Sequence, residues 1–253
     1  MTRTLKLLAA AGLLVPLAGC AFFAGSYQPN PALAELEAEI ADYATIVEEE
    51  RWVAILPENG DADAPGSTTD RSGVIFYPGG KVSHRAYIPL FDRIVAAGYP
   101  VFIVEMPLDL AVMDTDRALD VMEAYPDLER WHLVGHSLGG AMAAQLVERE
   151  PGAFASLSLL ASYPAGGVDL SSRDLPILSA WGTRDGVADL EAVQAAESQY
   201  PPDARMLAIS GGNHAGFGVY GPQEGDQPAT ITGAEQRSVS QSAMLELFAA
   251  AGE

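Results

Sequence analysis

From residue 73 onward apolar residues fall into two alternating forms: short unbroken runs, and stripes at three- and four-residue spacing. Val74-Ile75-Phe76-Tyr77, Val101 to Val104, Trp131 to Gly135, Ala155 to Leu160, Ile177 to Trp181 and Arg205 to Ile209 are of the first kind and predict strands. His84 to Gly98, Asp114 to Tyr125 with Asp114 as cap, Leu138 to Glu150, Leu190 to Tyr200 and Glu235 to Ala251 carry the second and predict helices. Strands that are apolar throughout and alternate with helices imply a mostly parallel central sheet with helices on both faces, an α/β architecture. Ligands of such sheets bind beyond the C-terminal ends of the strands, so candidate chemistry is sought just after each run.

Ahead of this region the signals differ. Leu33, Leu36, Ile40, Tyr43 and Val47 have helical spacing and predict one amphipathic helix over residues 32 to 50, followed by a short strand from Trp52 to Leu56 that Pro57 ends. Residues 58 to 72 are polar and read as a loop or hairpin tip. Arg3 and Lys6 precede an apolar run from Leu5 to Leu17 that is too short to span a bilayer and has the flanks of a secretory signal. It ends in Leu17-Ala18-Gly19-Cys20, which resembles the bacterial lipobox. The expected organisation is a lipoprotein signal peptide over 1–19, a tether over 20–34 carrying lipid on Cys20, and one domain over 35–253. That places the protein in the bacterial cell envelope as a membrane-anchored lipoprotein.

Composition narrows the function. Cys20 is the only cysteine, which excludes an intramolecular disulfide, a thiolate metal cluster and a cysteine nucleophile in the body. A formal net charge of −20 argues against nucleic acid and against binding to anionic headgroups through charge. No phosphate loop, zinc motif or dinucleotide fingerprint is present, so no cofactor and no metal are implied.

The chemistry concentrates at three strand ends. Gly135-His136-Ser137-Leu138-Gly139 fits G-x-S-x-G between an apolar strand and a helix, the setting that puts a serine on a sharp, strained turn at a helix N-terminus. The backbone N–H of Leu138 is then one oxyanion donor, and the second is sought in Pro78-Gly79-Gly80-Lys81, with Gly80 N–H favoured and Lys81 N–H next. Of the four histidines only His214 follows the serine at a distance, in a glycine-rich loop after the last strand; His136 is read as structural. Asp185, after the strand at 177–181, is the candidate acid, with Asp174 and Asp189 as competitors on the wrong strand edge and at a helix start. In this reading Ser137 is the nucleophile, His214 the base and Asp185 the group that fixes the imidazole. Neutral His214 is the active form, so activity should rise with pH as the imidazole loses its proton.

These motifs, with Phe76-Tyr77-Pro78-Gly79-Gly80-Lys81-Val82, Gly182-Thr183-Arg184-Asp185-Gly186 and Gly212-Asn213-His214, resemble the bacterial α/β-hydrolase family related to dienelactone hydrolases and small carboxylesterases, over about residues 50 to 250. The tail from Gly218 through Asp226 to Ile231 resembles that family's loop after the histidine. Dienelactone hydrolases use a cysteine where this chain has Ser137, which moves the expectation to oxygen esters. The resemblance implies an α/β-hydrolase fold and a small-molecule ester substrate. Residues 162 to 174 are short for a cap, so no large cap domain is expected, and short to medium acyl chains fit best. Tyr163, Tyr87, Leu108 and Phe217 are candidate wall residues, and each fits ordinary packing equally well. Thioesterase, lactonase, amidase or acyltransferase chemistry on the same residues, and a non-catalytic envelope lipoprotein, remain open alternatives.

Overall fold

The computed structural model describes residues 25–58 and 71–252. The signal segment, Cys20 and most of the polar stretch before residue 72 lie outside the described residues. Eight strands form a single sheet: β1 (Ala44–Glu48), β2 (Trp52–Pro57), β3 (Ser72–Tyr77), β4 (Val101–Val104), β5 (Arg130–His136), β6 (Ser156–Leu160), β7 (Ile177–Gly182) and β8 (Arg205–Ile209). Their order is β1-β2-β4-β3-β5-β6-β7-β8. β1 and β2 are antiparallel to their neighbours; every other pairing is parallel.

The continuous apolar runs are explained by burial on both faces. On one side Val74, Phe76, Val134, Leu160 and Leu178 pack under α2 (Asp92–Ala96) and α6 (Gly233–Ala250), which contributes Met244 and Phe248. On the other side Ile75, Tyr77, Leu133, Leu157 and Leu159 pack under α3 (Arg117–Ala124) and α4 (Leu138–Arg149), which contributes Ala143 and Leu146. The fold is therefore the expected α/β one, and residues 161–176 between β6 and β7 carry no helix or strand.

The elements depart from expectation at three places. The helix expected over 32 to 50 stops as α1 (Leu33–Ile40), and residues 44–48 form β1 instead. Thr45, Ile46 and Val47 are β-branched, and β2 offers them an antiparallel partner, Thr45 facing Leu56 and Val47 facing Ala54. The helix expected over 84 to 98 is a 3-10 segment, His84–Leu90, followed by the short α2. Pro89 lacks the N–H an α-helix would use there. Asp114 does not cap α3: the helix begins later, at Arg117, and the Asp114 carboxylate pairs with the Arg117 guanidinium at 3.0 Å.

The N-terminal arm is docked rather than loose. Tyr27 bridges to Val82, its N–H donates to Lys81 O at 2.7 Å, and Ser26 Oγ donates to Asp109 Oδ2. Asn30 N–H donates to Val219 O at 3.0 Å. β3 and β5 lie side by side, yet the chain leaves β3 for β4 on one side and β5 for β6 on the other. Their C-terminal ends are thus a switch point, where the two departing loops leave a crevice.

Candidate active site

Ser137 stands at that switch point, between β5 and α4, with φ 52° and ψ −124°. A non-glycine residue in this region stores about 1–3 kcal/mol and persists only where its surroundings over-determine it. Here they do: Ser137 N–H donates to Leu160 O at 2.9 Å, and Ser137 O accepts from Ser162 Oγ at 2.7 Å and from Ala141 N–H at 3.2 Å. The turn also needs the absence of side chains. A Cβ on Gly139 would lie 2.3 Å from Tyr77 O, and one on Gly135 would lie 2.5 Å from Gly140 Cα. The backbone alone thus aims the Ser137 hydroxyl out of the elbow, with the N-terminal end of α4 beneath it.

Leu138 occupies the first position of α4, so its N–H has no intrahelical acceptor. Gly80 is its neighbour: a Cβ there would lie 3.0 Å from Leu138 Cδ2. Of the two donors considered in that loop, Lys81 N–H is already committed to Asp109 O at 2.7 Å. Gly80 N–H donates to no atom among the described residues. The N–H groups of Leu138 and Gly80 are thus both without an acceptor among the described residues, and Gly80 packs against the Leu138 side chain, as a pair of oxyanion donors would need.

His214 and Asp185 are brought together by the last two parallel strands. Asp185 follows β7 and His214 follows β8, and His214 Nδ1 lies 2.8 Å from Asp185 Oδ2. Both side chains are essentially inaccessible, at 1% and 0%. The other Asp185 oxygen accepts the N–H groups of Val187 and Ala188, each at 2.8 Å. With all those donors satisfied, the carboxylate can only accept from the imidazole, which fixes the proton on Nδ1 and leaves Nε2 as the basic nitrogen. The rings of His136 and His214 are 4.6 Å apart, so the His214 loop meets the elbow beside Ser137. No hydrogen bond joins Ser137 Oγ to His214 Nε2 among the described residues; this contact is often long before substrate binds. Of the competitors, Asp189 caps α5 (Leu190–Ala195) through Ala192 N–H, and Asp174 is exposed ahead of β7.

Three supports were not visible in the sequence pattern. The Asp226 carboxylate accepts four backbone N–H groups: Gly186 at 3.0 Å, His214 at 3.2 Å, Ala215 at 2.9 Å and its neighbour Gln227 at 2.9 Å. It therefore ties the acid's loop to the base's loop. Gln236, fully buried on α6, clamps Asn213 from both sides, its Oε1 accepting from Asn213 N–H at 2.9 Å and its Nε2 donating to Asn213 O at 2.7 Å. A Cβ on Gly216 would lie 2.1 Å from that Oε1, which is why the loop needs glycine there. The third support is Tyr87. Its hydroxyl accepts from Gly79 N–H at 3.2 Å and lies 2.9 Å from His136 Nδ1, joining the Gly80 loop to the end of β5.

His136 is accordingly a buried structural group. Burial, and then the positive potential of His214, hold its pKa well below the usual histidine value. The neutral ring shares a hydrogen bond with the Tyr87 hydroxyl, which burial keeps protonated far above the usual tyrosine range. For two of the candidate wall residues this decides in favour of packing. Tyr87 is spent on this network, and Phe217 is fully buried against His136, with 5.3 Å between ring centres. Tyr163 is half-buried, and Leu108 is 69% exposed at the rim.

A strained serine at a strand-to-helix turn, free N–H groups on Leu138 and in the adjoining Gly80 loop, and a buried carboxylate–imidazole pair beyond β7 and β8 define a hydrolase-type crevice. The sequence model of the "Alpha/beta hydrolase family" matches residues 73–238, and the chain belongs to that family. No curated protein matches the sequence. Similar solved structures include MGS-MChE2, an alpha/beta hydrolase enzyme from the metagenome of sediments of the Mar Chica lagoon in Morocco, with 17% identity and a TM-score of 0.57 over 81% of this chain and 97% of that one. Est1E from Butyrivibrio proteoclasticus has 16% identity and a TM-score of 0.55 over 82% and 99%. A novel esterase from Mycobacterium tuberculosis has 15% identity and a TM-score of 0.52 over 85% and 96%. At these identities the likeness is one of fold.

Proposed function

We propose that the protein is a serine esterase that hydrolyses carboxylic esters of short to medium acyl chains through an acyl-enzyme. The observation that carries this reading is the buried 2.8 Å contact between His214 and Asp185, formed across 29 residues beyond the ends of β7 and β8, in the same sheet whose β5 ends at a strained Ser137. A structural histidine has no need of that arrangement.

In the proposed mechanism Ser137 Oγ attacks the ester carbonyl while His214 Nε2 takes its proton. The carbonyl oxygen becomes an oxyanion held by the N–H groups of Leu138 and Gly80, each worth about 10²–10³ in rate. Asp185 stabilises the imidazolium and keeps the ring oriented. His214 then protonates the departing alkoxide, and the alcohol leaves. Water, deprotonated by the same nitrogen, attacks the acyl-enzyme and releases the acid. No step needs a metal or cofactor. The short connection between β6 and β7 supports an uncapped mouth and a modest acyl chain.

The test is turnover of 4-nitrophenyl acetate, butyrate and octanoate by residues 21–253, beside Ser137→Ala. Turnover that disappears in the variant, and declines toward octanoate, is expected. Equal turnover by both proteins would overturn the assignment of Ser137. An acetyl thioester offered in parallel separates oxygen-ester preference from thioesterase activity.

We propose further that lipid on Cys20 holds the protein at the bacterial membrane. No helix among the described residues is long and apolar enough to cross a bilayer. The path of the arm supports anchoring: Ser26 is fastened to Asp109, and the six residues from Cys20 reach at most roughly 20 Å. Leu108, Val112 and Met113, next to that fastening, are 69%, 56% and 57% exposed, and would face the same surface. Cys20→Ser should abolish palmitate labelling and release the protein from the membrane fraction. Retention of both would overturn the anchor.

A further inference from the structure

A second polar site lies on the other side of the His214 loop. Arg237, on the second turn of α6, is 8% exposed. Among the described residues its guanidinium donates no hydrogen bond and no carboxylate lies within ion-pair distance. Burial pulls its pKa below the usual arginine value, and Asp92, acting from farther off, only partly opposes this. An arginine this deep without a partner is unusual, because a buried charge left unpaired loses its hydration with nothing in return.

The guanidinium is not aimed at protein. It leans back along the helix until a Cβ on Gly233 would lie 3.0 Å from Nη1. Gly233 is the first residue of α6, and it and Arg237 line a cavity of about 510 Å³. Thr232 caps Glu235 N–H, which leaves the N–H groups of Gly233 and Ala234 without acceptors among the described residues. Leu36 and Val219 add apolar wall, and neither Ser137 nor His214 lines the space. Asp226 lines the cavity and Glu235 sits on the same first turn of α6, and both are committed. Asp226 is occupied by its four N–H groups, and Glu235 is folded back on Thr232. The positive end of an 18-residue helix and an unpaired guanidinium therefore converge on one cavity.

We propose that this cavity is a binding site for a small molecule bearing a carboxylate or phosphate group, held between the Arg237 guanidinium and the first turn of α6. The anion supplies the partner Arg237 lacks, through a forked pair of charge-assisted hydrogen bonds. The two free N–H groups complete its coordination, and the apolar walls take the remainder of the ligand. The site is independent of the esterase reading. It nevertheless touches the catalytic loop, since Asn213 and Ala215 form part of its wall. An occupant would therefore brace the segment that carries His214.

The test is isothermal titration of the Ser137→Ala protein with inorganic phosphate and with butyrate, using glycerol as the neutral control. The Ser137 variant removes any binding in the hydrolytic crevice that depends on its hydroxyl, and neither probe is a substrate. Saturable binding of at least one anion, with no response to glycerol, is expected. Arg237→Gln should weaken it about tenfold or more. Ala234→Glu is the second variant. It places a carboxylate in the exposed first turn, where a helix tolerates it well, and should abolish binding while the protein stays folded. Absence of saturable binding for both anions, or affinities unchanged in Ala234→Glu, would overturn the site.

Discussion

The elbow around Ser137 and the loop around His214 reach the same crevice by different means. At the elbow the backbone does the positioning. Ser137 is fixed by hydrogen bonds to β6 and its flank, and glycines let β5, α4 and the end of β3 approach within contact distance. In the His214 loop the backbone is irregular, and side chains from elsewhere hold it: Asp226 through the N–H groups of His214 and Ala215, Gln236 through both ends of its amide, and Asp185 through the imidazole. A site built from backbone sterics tolerates almost no change of side-chain volume. A site built from polar clamps is in addition sensitive to the loss of a single donor or acceptor, even where the side-chain volume is kept.

The substitutions that probe this contrast differ in size. Ser137→Ala should remove hydrolysis to background, a loss of about 10⁶ in kcat, with thermal stability unchanged or raised. Asp185→Asn keeps the shape but lets the imidazole adopt the wrong tautomer. It should cost about 10⁴ in kcat with little change in KM. Gly139→Ala tests the elbow by volume alone. The new methyl would meet the carbonyl oxygen of Tyr77, and unfolding free energy should fall by about 3 kcal/mol in a denaturant titration. Asp226→Asn tests the clamp by chemistry alone, since it sets an NH₂ against the Ala215 N–H. It should lower kcat about tenfold through a loosened His214 while leaving the elbow intact, so that stability falls less than in Gly139→Ala. If Gly139→Ala were silent and Asp226→Asn unfolded the protein, the contrast would be reversed.

The smallest effect is one of pH. His136 is neutral in the fold, with its pKa held well below the usual value by burial and by His214. As pH falls below about 6.5 the unfolded chain takes up a proton that the folded chain refuses, so stability is full above that pH and declines on acidification. Tm measured between pH 8 and pH 5 should fall, and His136→Asn should flatten the decline. A slope that His136→Asn leaves untouched would assign the effect to other groups.

The same contrast explains what could be read from the sequence. Ser137, Leu138 and Gly80 were legible because backbone sterics leave glycine and serine at fixed local spacing. Asp185 and His214 were legible through chain order and strand ends. Asp226 and Gln236 left no periodic mark, because a side chain that grips a backbone group 10 or more residues away does not alter local patterning; Gln236 reads as one more polar position in a helix. β1 was misread because Tyr43 and Val47 continued the spacing of α1 by coincidence, and only the available edge of β2 decided the matter. Tyr87 stays undecided between pocket wall and packing in the sequence, because an aromatic residue near a loop fits either until the hydroxyl's partners are known.

The central claim is that Ser137 is activated by the buried His214–Asp185 pair. The most direct measurement is the rate at which a fluorophosphonate probe modifies Ser137, located by peptide mass, in the native protein, Asp185→Asn and His214→Ala. The account predicts stoichiometric labelling of Ser137 in the native protein and labelling slowed by about 10³-fold or more in both variants. A folded native protein whose Ser137 stays unlabelled, or is labelled at the same rate in all three, would contradict it and leave a fold kept for binding alone.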